Sequence, residues 1–224
     1  MFYKRITIVC GHYGSGKTNV ALNMAYEQKA SGLDVAIADL DIVNPYFRTK
    51  DSISELRRQG IELICSDYAG SNLDIPALPD EMYAVTDNKS KNFILDIGGD
   101  DRGALALGRL APGIISEGNY EMIAIINKFR PLTRDCESTV EVLREVEYAG
   151  GINFTGIINN SNLGADTAAS DIIGSADYAN SVSESMNLPI IATTADERFR
   201  GKLEKCLQNV FYIKLQNSPI NKEC

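Results

Sequence analysis

Residues 11–18 constrain the fold of this chain more than any other segment. They are Gly-His-Tyr-Gly-Ser-Gly-Lys-Thr, which matches the pattern G-x-x-x-x-G-K-[ST]. The segment follows a β-branched apolar run at residues 4–10, and it opens a helical pattern over residues 17–30 that Gly32 ends. A strand, a glycine-rich turn and a helix in this order form a phosphate-binding loop, or P-loop, in which backbone N–H groups and the helix N-terminus bind phosphate.

This loop predicts a set of nucleotide-binding residues. Lys17 would reach the β- and γ-phosphate oxygens as a point charge, and the Thr18 hydroxyl would enter the shell of a Mg²⁺ ion. Gly14 and Gly16 allow backbone conformations that point successive N–H groups inward. The predicted phosphate-binding set is Gly11, Tyr13, Gly14, Ser15, Gly16, Lys17, Thr18 and Asn19.

Carboxylates at the ends of two other predicted strands complete the site. Asp96 ends the apolar run 92–96, and Gly98 and Gly99 follow it. We expect Asp96 to hold Mg²⁺ directly or through water, and the glycines to approach the γ-phosphate and move after hydrolysis. Asp39 and Asp41 end the second strand. We favour Asp41 as the residue that positions the attacking water, and we expect it to serve the metal together with Thr18 and Asp96. An ordinary strand-end turn is the alternative at each place.

The remaining pattern is one of alternating strands and helices. Near-continuous apolar strands separated by helices predict a mainly parallel sheet covered on both faces, with ligands at the carboxyl ends of the strands. We therefore expect an α/β, three-layer P-loop NTPase fold with seven to eight strands, as one domain over residues 1–224. The clearest later helix is predicted at 133–148, and residues 211–215 form either an eighth strand or a docking segment. The other predicted strands are 33–38, 61–65, 93–97, 122–126, 156–159 and 189–193.

Composition and charge exclude several classes of protein. The chain has 224 residues, of which 44% are hydrophobic and 23% charged, and its formal net charge is -8, so nucleic acid is not an expected partner. No apolar run approaches the roughly 20 residues that span a bilayer, and the start has no signal-peptide pattern, so we expect a cytoplasmic protein without membrane recruitment. The five cysteines have no C-x-x-C spacing, which favours reduced thiols over a metal or cluster site.

Five segments in order resemble the MinD/ParA branch of P-loop proteins, a group that also includes the dethiobiotin and cobyrinic acid synthases. They are ITIVCGHYGSGKT, VAIADLDIVNPYFRT, FILDIGG, IAIINKFRPLTRDCESTVEVL and TGIINNSNLGADT. The resemblance implies ATP as ligand with Mg²⁺, Asp41 positioning the hydrolytic water, Asp96 serving the metal and Asn159 binding the adenine ring. On the residues alone, the competing interpretation is that Asn159, Asn160 and Asn162 form a polar turn.

One departure from the MinD/ParA pattern affects the expected partners. The group proper carries a signature lysine after the first motif glycine, where this chain has His12. The resemblance therefore does not imply a nucleotide-sandwiched dimer, although another homodimer is possible. We expect an ATPase that acts as a nucleotide switch on a partner protein. The alternatives are an ATP-dependent ligase or kinase, with an acceptor pocket built from 44–48 and 66–80, and a nucleotide-binding scaffold that does not hydrolyse.

Overall fold

A parallel sheet forms the centre of the structure, a computed structural model that describes residues 3–40, 50–65, 80–99 and 101–215. The strands are β1 (Ile6–Cys10), β2 (Val35–Leu40), β3 (Glu62–Cys65), β4 (Asn92–Ile97), β5 (Tyr120–Ile126), β6 (Gly156–Asn159), β7 (Ile190–Asp196) and β8 (Val210–Ile213). They form one 8-stranded sheet in the order β3-β2-β4-β1-β5-β6-β7-β8. Each strand pairs in parallel with its neighbours. The predicted parallel sheet is confirmed, and its eighth strand falls where residues 211–215 allowed one.

Helices cover both faces of this sheet. They are α1 (Lys17–Ala30), α2 (Lys50–Arg58), α3 (Ala84–Asp87), α4 (Asp101–Glu117), α5 (Cys136–Gly150), α6 (Ala169–Ile173) and α7 (Ala176–Met186). Successive side chains of β1 point to opposite faces, so Ile8 joins an apolar cluster with α4, α5 and α7, whereas Val9 joins one with α1 and α2. Two buried clusters on the two sides of one sheet make the three-layer α/β architecture that the apolar strands predicted.

The start of α5 differs from the prediction. The apolar spacing predicted a helix from residue 133, but α5 begins at Cys136 and a short 3-10 turn occupies Pro131–Thr133. Asp135 causes the difference, because its extended backbone and its side chain, which accepts a hydrogen bond from the Ser138 amide, form an N-cap. Hydrophobic periodicity alone does not reveal where a cap residue stops a helix.

Candidate nucleotide-binding site

The P-loop connects the end of β1 to the start of α1. Gly14 and Gly16 adopt φ angles of 75° and 86°, which side-chain-bearing residues rarely adopt, and a turn closes from the Ser15 amide to the His12 carbonyl at 3.0 Å. Gly16 is the N-cap of α1 and offers no side-chain cap, and the first turn of α1 holds no acidic residue. The positive end of this helix is therefore suited to an external anion.

Lys17 and Thr18 stand at the mouth of this loop. Lys17 is 4% exposed. The Thr18 hydroxyl donates a 2.6 Å hydrogen bond to Oδ2 of Asp96, which lies on β4 and is 1% exposed. β4 pairs with β1, and this register sets Asp96 opposite Val9, two residues before the P-loop begins at Gly11. The structure thus brings the predicted hydroxyl and the predicted carboxylate together from positions 78 residues apart.

This pair of oxygens fits a magnesium ion. Hydroxyl and carboxylate oxygens are ligands that Mg²⁺ prefers, and the ion commonly takes one or two protein ligands with the rest from phosphate and water. Within the described residues there is no group of three or more histidine, cysteine or acidic side chains placed to hold a metal. The hydroxyl and the carboxylate thus match two protein ligands of a metal that takes its other ligands from phosphate and water.

The loop after β4 lies directly against the P-loop. A Cβ added to Gly99 would stand 2.4 Å from the Gly11 carbonyl oxygen and 2.8 Å from the Tyr13 amide nitrogen. A Cβ on Gly103, in α4, would stand 2.7 Å from the backbone of Gly98. The loop of Gly98 and Gly99 therefore packs against the P-loop backbone and links it to α4. The predicted approach of these glycines to the γ-phosphate stays a prediction.

The two asparagines at the end of β6, Asn159 and Asn160, make different contacts. Asn159 is fully buried, donates to the Ser175 hydroxyl at 2.8 Å and accepts from Ser161 at 2.7 Å. Asn160 instead donates to the Ser15 carbonyl of the P-loop at 2.6 Å and accepts from the Thr194 hydroxyl.

A cavity adjoins these residues at the carboxyl ends of the last strands. Asn159 does not line it, and its assignment to the base stays a prediction. The polar lining consists of Asn160, Asn162, Thr167, Thr194 and Asp196.

Comparison with known proteins gives structural likeness only. No family model and no curated protein matches the sequence. Chloroplast FtsY from Physcomitrella patens matches with a TM-score of 0.58 and 16% identity over 86% of this chain and 59% of that chain. FtsY from Thermotoga maritima matches with a TM-score of 0.57 and 16% identity over 85% and 61%. The signal recognition particle receptor FtsY from Elizabethkingia anophelis, in complex with GDP, matches with a TM-score of 0.52 and 13% identity over 87% and 58%.

The fold is that of a P-loop NTPase. The likeness to FtsY shows the fold alone, and it does not single out the MinD/ParA group. The chain spans 58%, 59% and 61% of the length of the three FtsY structures. At 13–16% sequence identity, this likeness shows the fold of the chain but not which ligand it binds.

Several predicted residues keep the status of predictions. Asp41 and the segments 44–48 and 66–79 lie outside the described residues. Tyr13 is 63% exposed on the P-loop, and Asn19 lies half-buried in the first turn of α1. No helix within the described part of the chain is long and apolar enough to cross a membrane.

Sequence analysis missed two contributors to the P-loop environment. Asn160 was visible only as part of a polar turn, because the sequence does not show which of two adjacent asparagines faces the P-loop. Arg130 follows β5 and lies across Gly14, with its nearest atom 3.5 Å from the place of a Cβ there. A cation at the carboxyl end of a central strand, directly before Pro131, was the signal that could have found it.

Proposed function

We propose that this chain binds a purine nucleoside triphosphate with Mg²⁺ at the P-loop and acts as a nucleotide-dependent switch. The contact that carries the proposal is the 2.6 Å hydrogen bond between the Thr18 hydroxyl and Asp96. A chance glycine-rich turn has no reason to meet a buried carboxylate from another strand. The pairing is what a shared metal site at a phosphate cradle requires.

Each residue of the site has a separate task in this proposal. Lys17 binds β- and γ-phosphate oxygens, and the P-loop amides fix the phosphate chain. Thr18 and Asp96 hold the metal, which when bound would neutralise phosphate charge. Asp41, which directly follows β2, is proposed to orient the attacking water. β2 supports this placement, since its register sets Asp39 beside Asp96.

We propose ATP as the nucleotide, in line with the ordered MinD/ParA-like segments. The amides of Asn160 and Asn162 line the cavity beside the P-loop, but they already bond to Ser15, Thr194, the Asn160 carbonyl and the Gly164 amide, so they do not decide between the bases. GTP is the second candidate, because Asp196 also lines the cavity and a carboxylate accepts from the two donors of guanine. The GDP complex of the Elizabethkingia anophelis FtsY supports the same alternative.

The loop of Gly98 and Gly99 supports a switch rather than simple storage of nucleotide. It touches the P-loop on one side and α4 on the other, so a change at the γ-phosphate would reach an outer helix. The partner is proposed to be a protein, in line with the ordered MinD/ParA-like segments. A ligase or kinase with a small carboxylate or hydroxyl acceptor stays the alternative.

The direct test is calorimetric titration with Mg·AMP-PNP and, separately, with the corresponding GTP analogue. We expect binding, with Lys17→Ala weakening it by roughly 10- to 100-fold, the cost of losing a charge-assisted hydrogen bond. Thr18→Ala should remove the dependence on magnesium, measured by adding a chelator. Lys202→Ala, an exposed lysine, is the matched control. If neither analogue binds at millimolar concentration, the proposal fails.

Turnover measurements separate the switch from its alternatives. The switch predicts slow hydrolysis that Asp41→Asn abolishes while binding persists. A ligase or kinase predicts a rate that rises sharply with one carboxylate or hydroxyl metabolite across a panel. A scaffold predicts binding with no measurable rate.

A further inference from the structure

Arg130 lies against Gly14 of the P-loop. Its Nε, Cδ and Cζ atoms are 3.5, 3.6 and 3.8 Å from the position that a Cβ would take at Gly14. Gly14 has no side chain to separate the guanidinium from the P-loop backbone. The arginine therefore lies against the same turn of the P-loop whose amides form the phosphate cradle.

The backbone around Arg130 is fixed in place. Pro131 disfavours the helical conformation for the preceding residue, and Arg130 is extended at φ −103° and ψ 139°. Its amide donates to the Asn127 carbonyl at 3.2 Å, and the Thr133 hydroxyl donates to that same carbonyl at 2.8 Å. A closed turn after β5 thus projects the side chain toward the P-loop.

The guanidinium has hydrogen-bonding capacity that the described residues do not use. Its Nε is buried and has no hydrogen-bond partner among them. Four other arginines on the same half of the chain pair with a carboxylate, namely Arg134, Arg144, Arg198 and Arg200. A buried N–H without a partner costs free energy, and a guanidinium matches the oxygens of a phosphate.

We propose that Arg130 is a further phosphate-contacting residue. Its guanidinium, carried by the turn after β5, binds the phosphate chain of the bound nucleotide. The inference rests on the proposed function, since it needs a nucleotide in the P-loop. Arg130 acts beside Lys17, which reaches the phosphates from α1. The β5 turn thereby becomes part of the binding site.

Two substitutions separate the charge of Arg130 from its packing on Gly14. Arg130→Met keeps an unbranched side chain over the glycine and removes the charge. Arg130→Lys keeps the charge and removes the planar guanidinium group. Arg134→Met, four residues later and 78% exposed, is the matched control. Affinity for Mg·AMP-PNP and Mg·ADP is measured by calorimetry at two salt concentrations, with thermal unfolding as the check on folding.

The expected result is a loss of affinity of roughly 10- to 100-fold in Arg130→Met, a smaller loss in Arg130→Lys and no change in Arg134→Met. The affinity of Arg130→Met should also depend less on salt. Wild-type affinity in Arg130→Met would overturn the inference. That outcome is distinct from failure of the proposed function, in which wild type and Lys17→Ala would both fail to bind.

Discussion

At the scale of single residues, the candidate site depends on one short hydrogen bond and on the absence of a side chain at one glycine. Thr18 and Asp96 are joined by a hydrogen bond between a helix and a neighbouring strand. Gly99 has only hydrogen where another residue would place a carbon 2.4 Å from the Gly11 carbonyl oxygen. A carbon and an oxygen cannot approach so closely, and both are held by backbone. Position 99 therefore accepts only glycine while the P-loop keeps this shape.

Gly99→Ala tests this packing. We expect the P-loop backbone to shift, with nucleotide affinity falling by about tenfold or more as the amides lose alignment with phosphate. The fold should persist, because the apolar clusters do not involve Gly99. Calorimetry with Mg·AMP-PNP gives the affinity, and circular dichroism follows the fold.

Gly108→Ala is the control for that substitution. A Cβ at Gly108 meets its nearest atom, the Ala149 carbonyl oxygen, at an ordinary 3.5 Å, and the residue lies inside α4. Alanine should leave affinity unchanged and stabilise the helix by roughly 0.5–1 kcal/mol. Equal affinities for the two variants would show that the close approach at Gly99 is not needed for binding.

At the scale of elements, the two ends of the strands are held by different interactions. The turns after β1, β5 and β6 join at the carboxyl end, where Asn160 bonds to Ser15 and the Lys128 amide donates to the Ser161 hydroxyl at 3.0 Å. At the opposite end Arg5, directly before β1, forms a buried ion pair with Glu117, the last residue of α4. The candidate site and this stabilising ion pair therefore lie at opposite ends of the strands.

Glu117→Gln tests the contribution of the ion pair. Arg5 is 7% exposed and also donates to the carbonyls of Val85 and Asn88, so it stays buried after the substitution. Removing one partner of such a pair costs about 3–5 kcal/mol of unfolding free energy. Urea denaturation measures the loss. Glu197→Gln, in an exposed pair with Arg200, should cost under about 1 kcal/mol.

The same ion pair predicts a dependence on pH. The hydrogen bond from Arg5, followed by that from Lys89, holds the pKa of Glu117 below its ordinary value of 4.5. A carboxyl whose pKa is lower in the folded state stabilises fully above its unfolded pKa, and the contribution is lost as pH falls through the folded pKa. The stability gap between wild type and Glu117→Gln should hold at pH 7 and narrow below about pH 4.5. A gap that is independent of pH would contradict this prediction.

At the scale of the whole molecule, the strand order gathers the site. β1 lies between β4 and β5, so the P-loop that follows it is flanked by the loop of Gly99 on one side and the turn of Arg130 on the other. Asn160, after β6, completes the enclosure from one strand further along the sheet. Segments far apart in sequence thus become one surface, because all carboxyl ends of a parallel sheet face the same way.

This arrangement predicts that nucleotide binding stabilises the loops together. Saturating Mg·AMP-PNP should slow amide hydrogen exchange in the P-loop, at Gly98 and Gly99, and after β6. The free energy of the opening reaction that permits exchange should rise by up to about 2.7 kcal/mol at a ligand concentration 100 times the Kd. Exchange in the segment around Arg5 should slow only by the amount that the rise in global stability accounts for. Slowing confined to residues 11–18 would show that the loops are not coupled.

The sequence by itself determined most of the strands and the glycine-rich loop between β1 and α1. Strand periodicity, the glycine pattern and the Lys17–Thr18 pair are local, so the parallel sheet and the cradle could be predicted from neighbouring residues. Asp96 could be predicted too, because a carboxylate at a strand end before two glycines is a local signal. Even the misplaced start of the helix after Pro131 has a local cause, the cap at Asp135.

Tertiary structure alone decided which side chains from separate loops meet. Asn159 and Asn160 are the same residue type at adjacent positions, yet only Asn160 contacts the P-loop, because the orientation of β6 relative to β1 sets which one faces it. Arg130 lies on Gly14 only because β5 pairs with β1 in this register. Such contacts depend on strand order and register, which no local pattern encodes, and they complete the site that the P-loop begins.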